Sequence, residues 1–328
     1  MKKLFAMLLA VVMIFSLATV AFAEEAEAPA EGHGLKSVAT TYTDVIKVYD
    51  VEGGTILPEE TLTFVSTADT TNPDGGKANL TIVDLPVTAE KMELTINVPV
   101  FEEVGTYHFV IEEVAGEAQG AVYSTGKIYV SVLVTFNYKE GKLDTTIGLT
   151  TTEDIPKEDT ITNTYGVGTL KVSKKVTGNL GDATKKFDVT VTFTAEEGKT
   201  VSNDITYGEE IIEAGWTGST SVVISLAHDE YVLFENIPEG VTYTVVESDY
   251  TQGELNGENA YDIPEYDYSD EGETKAIAAA DADTVVITNN KDTDVDTGIV
   301  LDSMPYVVIL AVACFGMFAM MTKKRYEV

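Results

Sequence analysis

In Met92-Glu93-Leu94-Thr95-Ile96-Asn97-Val98, and again in Tyr107-His108-Phe109-Val110-Ile111, every second side chain is apolar. A period of two sends alternate side chains to opposite faces of a strand, whereas an amphipathic helix needs apolar residues three and four apart. Similar strand patterns cover Thr43–Tyr49, Leu62–Val65, Ala78–Val83, Thr106–Glu112, Ile128–Asn137, Leu143–Leu149 and Thr160–Tyr165. Beyond Gly166-Val167-Gly168 a second block follows, with strands expected at Leu170–Val176, Phe187–Phe193, Ser221–Leu226, Tyr231–Phe234, Thr242–Val246 and Thr284–Thr288. Turn-forming clusters such as Asn72-Pro73-Asp74-Gly75-Gly76 separate them. Short strands joined by such turns predict an all-β protein of two tandem antiparallel β-sandwich domains, immunoglobulin-like in kind.

The two ends read differently. Lys2 and Lys3, the apolar run Leu4–Val20 and the ending Ala21-Phe22-Ala23 have the form of a cleaved secretory signal over residues 1–23. An acidic spacer, 24–36, follows. Near the other end, residues 304–321 carry no charge and precede Lys323, Lys324 and Arg325, which predicts a C-terminal transmembrane helix with a basic cytoplasmic tail at 322–328. A helix buried in a core is the other reading of that run. Between the ends, the expected order is a sandwich over 37–165, a linker at 166–168, a second sandwich over 169–290 and a stalk over 291–303.

The 54 acidic residues against 21 basic give a net charge of −33, which repels nucleic acid. Cys314 is the sole cysteine and lies in the apolar C-terminal run, so neither sandwich can hold a disulfide, the usual staple of exported domains. Three histidines without cysteine partners make no zinc pattern, and no calcium-loop spacing is present; no cofactor or metal is expected. Tyr261, Tyr266 and Tyr268 fall in a polar stretch that reads as a solvated loop. A ligand patch around them or around Trp216 is the competing reading.

One constellation occurs twice in the same order. Lys47 lies in the opening strand of the first block, Glu113 shares the parity of Tyr107, Phe109 and Ile111, and Asn163 shares that of Ile161 and Tyr165. In the second block Lys174, Glu247 and Asn289 take the matching places. On pattern alone these are either inward-facing groups or ordinary surface residues, and a slip of one residue would exchange Lys174 for Lys175.

The wording of these stretches resembles the pilin subunits and adhesin stalks of Gram-positive bacteria, whose domains form intramolecular Lys–Asn isopeptide bonds. The first block is similar to the streptococcal pilin isopeptide-linkage domain through Lys47, the G-x-Y-x-F-x-I-x-E stretch ending at Glu113, and I-x-N-x-Y at Ile161–Tyr165. The second resembles a shorter relative through Leu170–Gly178, Asn236–Glu247 and the V-x-I-T-N ending at Asn289. The resemblance implies pilin-type sandwiches, amide bonds Lys47–Asn163 and Lys174–Asn289, and Glu113 and Glu247 as catalytic carboxyls. Burial would leave each lysine a neutral nucleophile, and a buried carboxyl could carry the proton as ammonia leaves. That is self-maturation rather than enzyme activity, and the product would be a structural or adhesive surface protein. A surface module binding a host protein or polysaccharide is the alternative.

Val295-Asp296-Thr297-Gly298 resembles a cell-wall sorting signal, with Asp296 where the signal has Pro. The partners implied are a sortase-type transpeptidase, other pilin subunits, the cell wall or host surface ligands, with the membrane reached through 304–321. Lys157 is a candidate acceptor for subunit linkage. The localisation implied is extracellular, anchored to the wall or membrane of a Gram-positive bacterium.

Overall fold

The computed structural model of the chain describes residues 35–150, 157–252, 260–269, 275–292, 309–310 and 312–314. Nine strands come first: β1 (Thr40–Glu52), β2 (Thr61–Ala68), β3 (Thr81–Ile82), β4 (Leu85–Pro86), β5 (Lys91–Val98), β6 (Gly105–Val114), β7 (Ala121–Val122), β8 (Lys127–Asn137) and β9 (Lys142–Leu149). A long strand, β10 (Thr160–Thr177), leads into β11 (Phe187–Thr194), β12 (Ile205–Tyr207), β13 (Glu210–Ile212), β14 (Ser219–Leu226) and β15 (Tyr231–Pro238). The last are β16 (Thr242–Glu247), β17 (Glu265–Tyr268), β18 (Lys275–Ala276) and β19 (Ala282–Asn290).

Two cores organise these strands. The antiparallel sheet β4-β2-β6-β8-β9 packs on the sheet containing β1, β5, β3 and the first half of β10. Their inward residues, among them Leu94, Ile96, Tyr107, Phe109, Val132 and Tyr165, are almost fully buried. Each such side chain contributes roughly 1.5–3 kcal/mol relative to exposure. The sheet β14-β11-β16-β18 packs in the same way on β15, β19 and the second half of β10, around Val189, Val191, Phe193, Phe234 and Ile287. The alternation seen in the sequence becomes alternating burial, as in Met92, Leu94, Ile96 and Val98 of β5.

The structure departs from the expected strands in three ways. Thr160–Tyr165 and Leu170–Val176 are one strand, running through Gly166 and Gly168, which are buried. A Cβ on Gly166 would lie 2.5 Å from Glu239 Oε2, and one on Gly168 would lie 2.6 Å from Ile277 Cγ2. These glycines allow close passage of neighbouring segments, so they do not mark a break. Second, the opening and closing strands are parallel neighbours: β1 runs beside β10, and β10 beside β19, within otherwise antiparallel sheets. Third, the stretch read as a solvated loop contributes β17 and β18; Tyr261 is buried, and Tyr266 and Tyr268 pack against the second core. Trp216 packs there too, so neither aromatic group forms the exposed patch that a ligand reading would need.

The expected transmembrane helix is corrected: no helix among the described residues is long and apolar enough to cross a membrane. Within 304–321 the described residues are 309–310 and 312–314, helical and exposed. A span needs about 20 consecutive helical residues, and apolar composition alone does not supply that length. The membrane contact expected through 304–321 is corrected with it. The signal, most of the spacer, the Val295–Gly298 motif and the basic tail lie outside the described residues.

Candidate functional site

The first candidate site is set by strand register. In the parallel pairing of β1 and β10, Lys47 lies opposite Ile161 and Tyr49 opposite Asn163. Val45, Lys47 and Tyr49 therefore share the inner face of β1, and Ile161, Asn163 and Tyr165 that of β10. From the facing sheet, β6 brings Glu113, its side chain wholly buried. Lys47 and Asn163 are both 0% exposed.

One carboxylate joins the other two groups. Lys47 Nζ donates to Glu113 Oε2 at 2.9 Å, and Asn163 Nδ2 donates to Glu113 Oε1 at 2.7 Å. The Ser124 backbone N–H donates to Asn163 Oδ1 at 2.9 Å. Burial holds the Lys47 ammonium well below the usual lysine range, outweighing the opposing pull of Glu113 and, more weakly, Glu60. A second polar group adjoins the site. The Tyr49 hydroxyl donates to Glu60, and Tyr123 donates to the other oxygen of that carboxylate at 2.6 Å.

The second site repeats the arrangement. Lys174 of β10 lies opposite Ile287 of β19, and Val176 opposite Asn289. Lys174, Glu247 and Asn289 are buried, while Lys175 faces outward. Lys174 Nζ stands 2.9 Å from Glu247 Oε1, an ion-pair contact that lacks the alignment of a hydrogen bond. Asn289 Nδ2 donates to Glu247 Oε2 at 2.6 Å. The amine lies 4.5 Å from the centre of the Phe187 ring. Burial again lowers the Lys174 pKa, with Glu247 opposing it.

Each site thus brings together, in one dry interior, an amine of lowered pKa, a carboxamide and a carboxyl in contact with both, the groups that a condensation of lysine with asparagine would need. All six side chains named from the sequence are brought together in their two sets. Sequence reasoning did not find Glu60, Tyr123 or Ser124, which lie outside any alternating run; the inward parity of Tyr49 was the one available signal. Lys157 is described and exposed. Among the described residues no group of three or more His, Cys, Asp or Glu is placed to hold a metal ion.

Comparison with known proteins adds independent findings. Residues 40–166 match the family described as Spy0128-like isopeptide containing domain, and residues 168–291 match a domain of unknown function, DUF7601. A pilin of Streptococcus pyogenes serotype M1 is 28% identical over 331 residues, spanning 89% of this chain and 94% of that protein. The pilus tip adhesin Cpa of Streptococcus pyogenes is 29% identical over 136 residues, 40% of this chain and 18% of the adhesin. A crystal structure of the major pilin from Streptococcus pyogenes aligns with a TM-score of 0.47 at 24% identity, covering 79% of this chain and 99% of that one.

Proposed function

We propose that this chain, an extracellular, cell-wall-anchored structural protein of the Gram-positive pilin and pilus-adhesin family, ties each of its two sandwiches shut with a Lys–Asn amide bond. The observation that carries the reading is the bridging carboxyl: Glu113 bonds to both Lys47 and Asn163, and Glu247 contacts both Lys174 and Asn289. In each site the neutral amine nitrogen adds to the side-chain carbonyl carbon of the asparagine. The carboxyl takes one proton from the amine and returns it to the leaving nitrogen, which departs as ammonia. The reaction happens once per site and consumes the lysine and asparagine that it joins, so the chain turns over no substrate and is structural, not an enzyme.

Two domains closed in this way, 37–165 and 169–290, would resist unfolding and proteolysis without disulfides. The same chemistry would give the second unit, which matches a family of unknown function, the same self-stabilising role.

Intact-mass measurement of the purified chain tests this. The expected result is a loss of one ammonia per site, with branched tryptic peptides joining Lys47 to Asn163 and Lys174 to Asn289. An unmodified mass would defeat the chemistry and leave a β-rich surface protein held together by packing alone.

A further inference from the structure

We infer that Tyr49 and the backbone N–H of Ser124 are additional catalytic groups of the first site, absent from the second, so that the two crosslinks form at different rates. This rests on the crosslinking reading above.

The two parallel registers align the sites position by position. Lys47 beside Ile161 corresponds to Lys174 beside Ile287, and Tyr49 beside Asn163 corresponds to Val176 beside Asn289. A valine therefore occupies, in the second site, the place of the tyrosine in the first.

The consequence falls on the carboxamide. Asn163 is held from two sides, Ser124 N–H on Oδ1 and Glu113 on Nδ2, and Tyr49, its cross-strand neighbour on the same buried face, lies beside it. That hydroxyl can accept because its own proton is committed to Glu60. Glu60 is held in turn by Tyr123, whose oxygen accepts the Ala118 N–H at 3.1 Å. Asn289 has its Nδ2 bond to Glu247, but its Oδ1 is buried with no hydrogen-bond partner among the described residues.

These differences bear on the steps where charge moves. As Lys47 Nζ bonds to Asn163 Cγ, the carbonyl electron pair moves onto Oδ1, at which the Ser124 N–H already points. When the intermediate collapses, the Cγ–Nδ2 bond breaks. Nδ2 takes the proton that Glu113 removed from Nζ and leaves as ammonia. As the group pyramidalises, the neighbouring Tyr49 hydroxyl, its own proton committed to Glu60, is free to accept the second N–H and turn the nitrogen lone pair towards Glu113. At the second site, among the described residues, the negative oxygen develops with no donor and the leaving nitrogen is held by Glu247 alone. Loss of one such donor slows acyl transfer by about 10²–10³ in other proteins, so a difference of about tenfold or more is expected here.

The test follows both crosslinks in the full chain during cell-free synthesis, quenching at intervals and quantifying the two branched tryptic peptides. The first peptide should reach completion about tenfold sooner than the second, or faster still. Tyr49→Phe should slow the first bond by about tenfold and leave the second at its wild-type rate. In the double variant Tyr49→Phe/Glu60→Gln, the second substitution should add no further slowing, because Glu60 acts through Tyr49. A second bond that forms as fast as the first in the wild-type chain, or a first bond indifferent to Tyr49→Phe, overturns the inference. A wild-type chain with no branched peptide in either unit removes the crosslinking reading itself, a result distinct from crosslinks that form at equal rates.

Discussion

A lysine with no exposure is an expensive core residue, and Lys47 and Lys174 show what offsets the expense. Each amine faces a carboxyl, yet burial still lowers its pKa, which favours the neutral nucleophile. The sign of the resulting pH dependence follows. Between the lowered folded value of Lys47 and the ordinary lysine value of 10.5, the unfolded chain holds a proton that the folded chain lacks. Stability therefore rises with pH across that window. In Asn163→Ala, where Lys47 stays free, urea unfolding should show the chain gaining on the double variant Asn163→Ala/Lys47→Met as pH climbs towards 10.5. A difference that stays flat with pH would mean that Lys47 is protonated and well solvated. That these three side chains share one interior was legible in the sequence because Lys47, Glu113 and Asn163 sit in alternating runs whose parity can be counted. Glu60 was not legible: it follows Pro58 in a segment between strands, where no period says which way a side chain points.

At the scale of elements, β10 joins the two sandwiches. Its first half pairs with β1 and its second half with β15 and β19. The strands themselves could be read from alternation, but their union could not, since Gly166-Val167-Gly168 has the composition of a break. The strand runs on through the two glycines with Glu239, Ile277 and Ala278 close against them, neighbours more than 70 residues away in sequence. Parallel pairing was invisible for the same reason: alternation fixes which face a residue occupies and says nothing of the direction of its neighbour. The register also separates Lys174 from Lys175, one inward and one outward. Lys174→Ala should abolish the branched peptide of the second unit, and Lys175→Ala should leave its yield unchanged; the reverse result would show β10 slipped by one residue. The junction has its own sensitive point. Gly53, at φ +84°, would carry a Cβ 2.0 Å from the Val167 carbonyl oxygen and 2.6 Å from Ala280 N. Gly53→Ala should cost at least about 1–3 kcal/mol in thermal or urea unfolding through backbone strain alone. An unchanged midpoint would show that this contact yields without strain.

For the whole molecule, the two proposed bonds define where a pulling force would travel. Tension entering along β1 reaches Lys47, crosses to Asn163, follows β10 to Lys174 and crosses again to Asn289 near the end of β19. The only backbone under load between the bonds is the stretch from 163 to 174, already extended as a strand. Residues 48–162 and 175–288 are bypassed, so the cores they form need not resist the load. Hydrogen bonds between parallel strands yield to force one after another or together, whereas an amide bond does not yield at forces that unfold domains. Single-molecule pulling from the two ends of residues 35–292 should therefore show no unfolding step in the wild-type chain. Glu113→Ala should release the first sandwich and lengthen the chain by on the order of 400 Å, the extended span of the freed segment. Glu247→Ala should do the same for the second unit while the first stays shut. If the wild-type chain lengthens in such steps while intact mass shows both ammonias lost, the bonds join residues other than Lys47, Asn163, Lys174 and Asn289, and the load path drawn from β1, β10 and β19 is wrong.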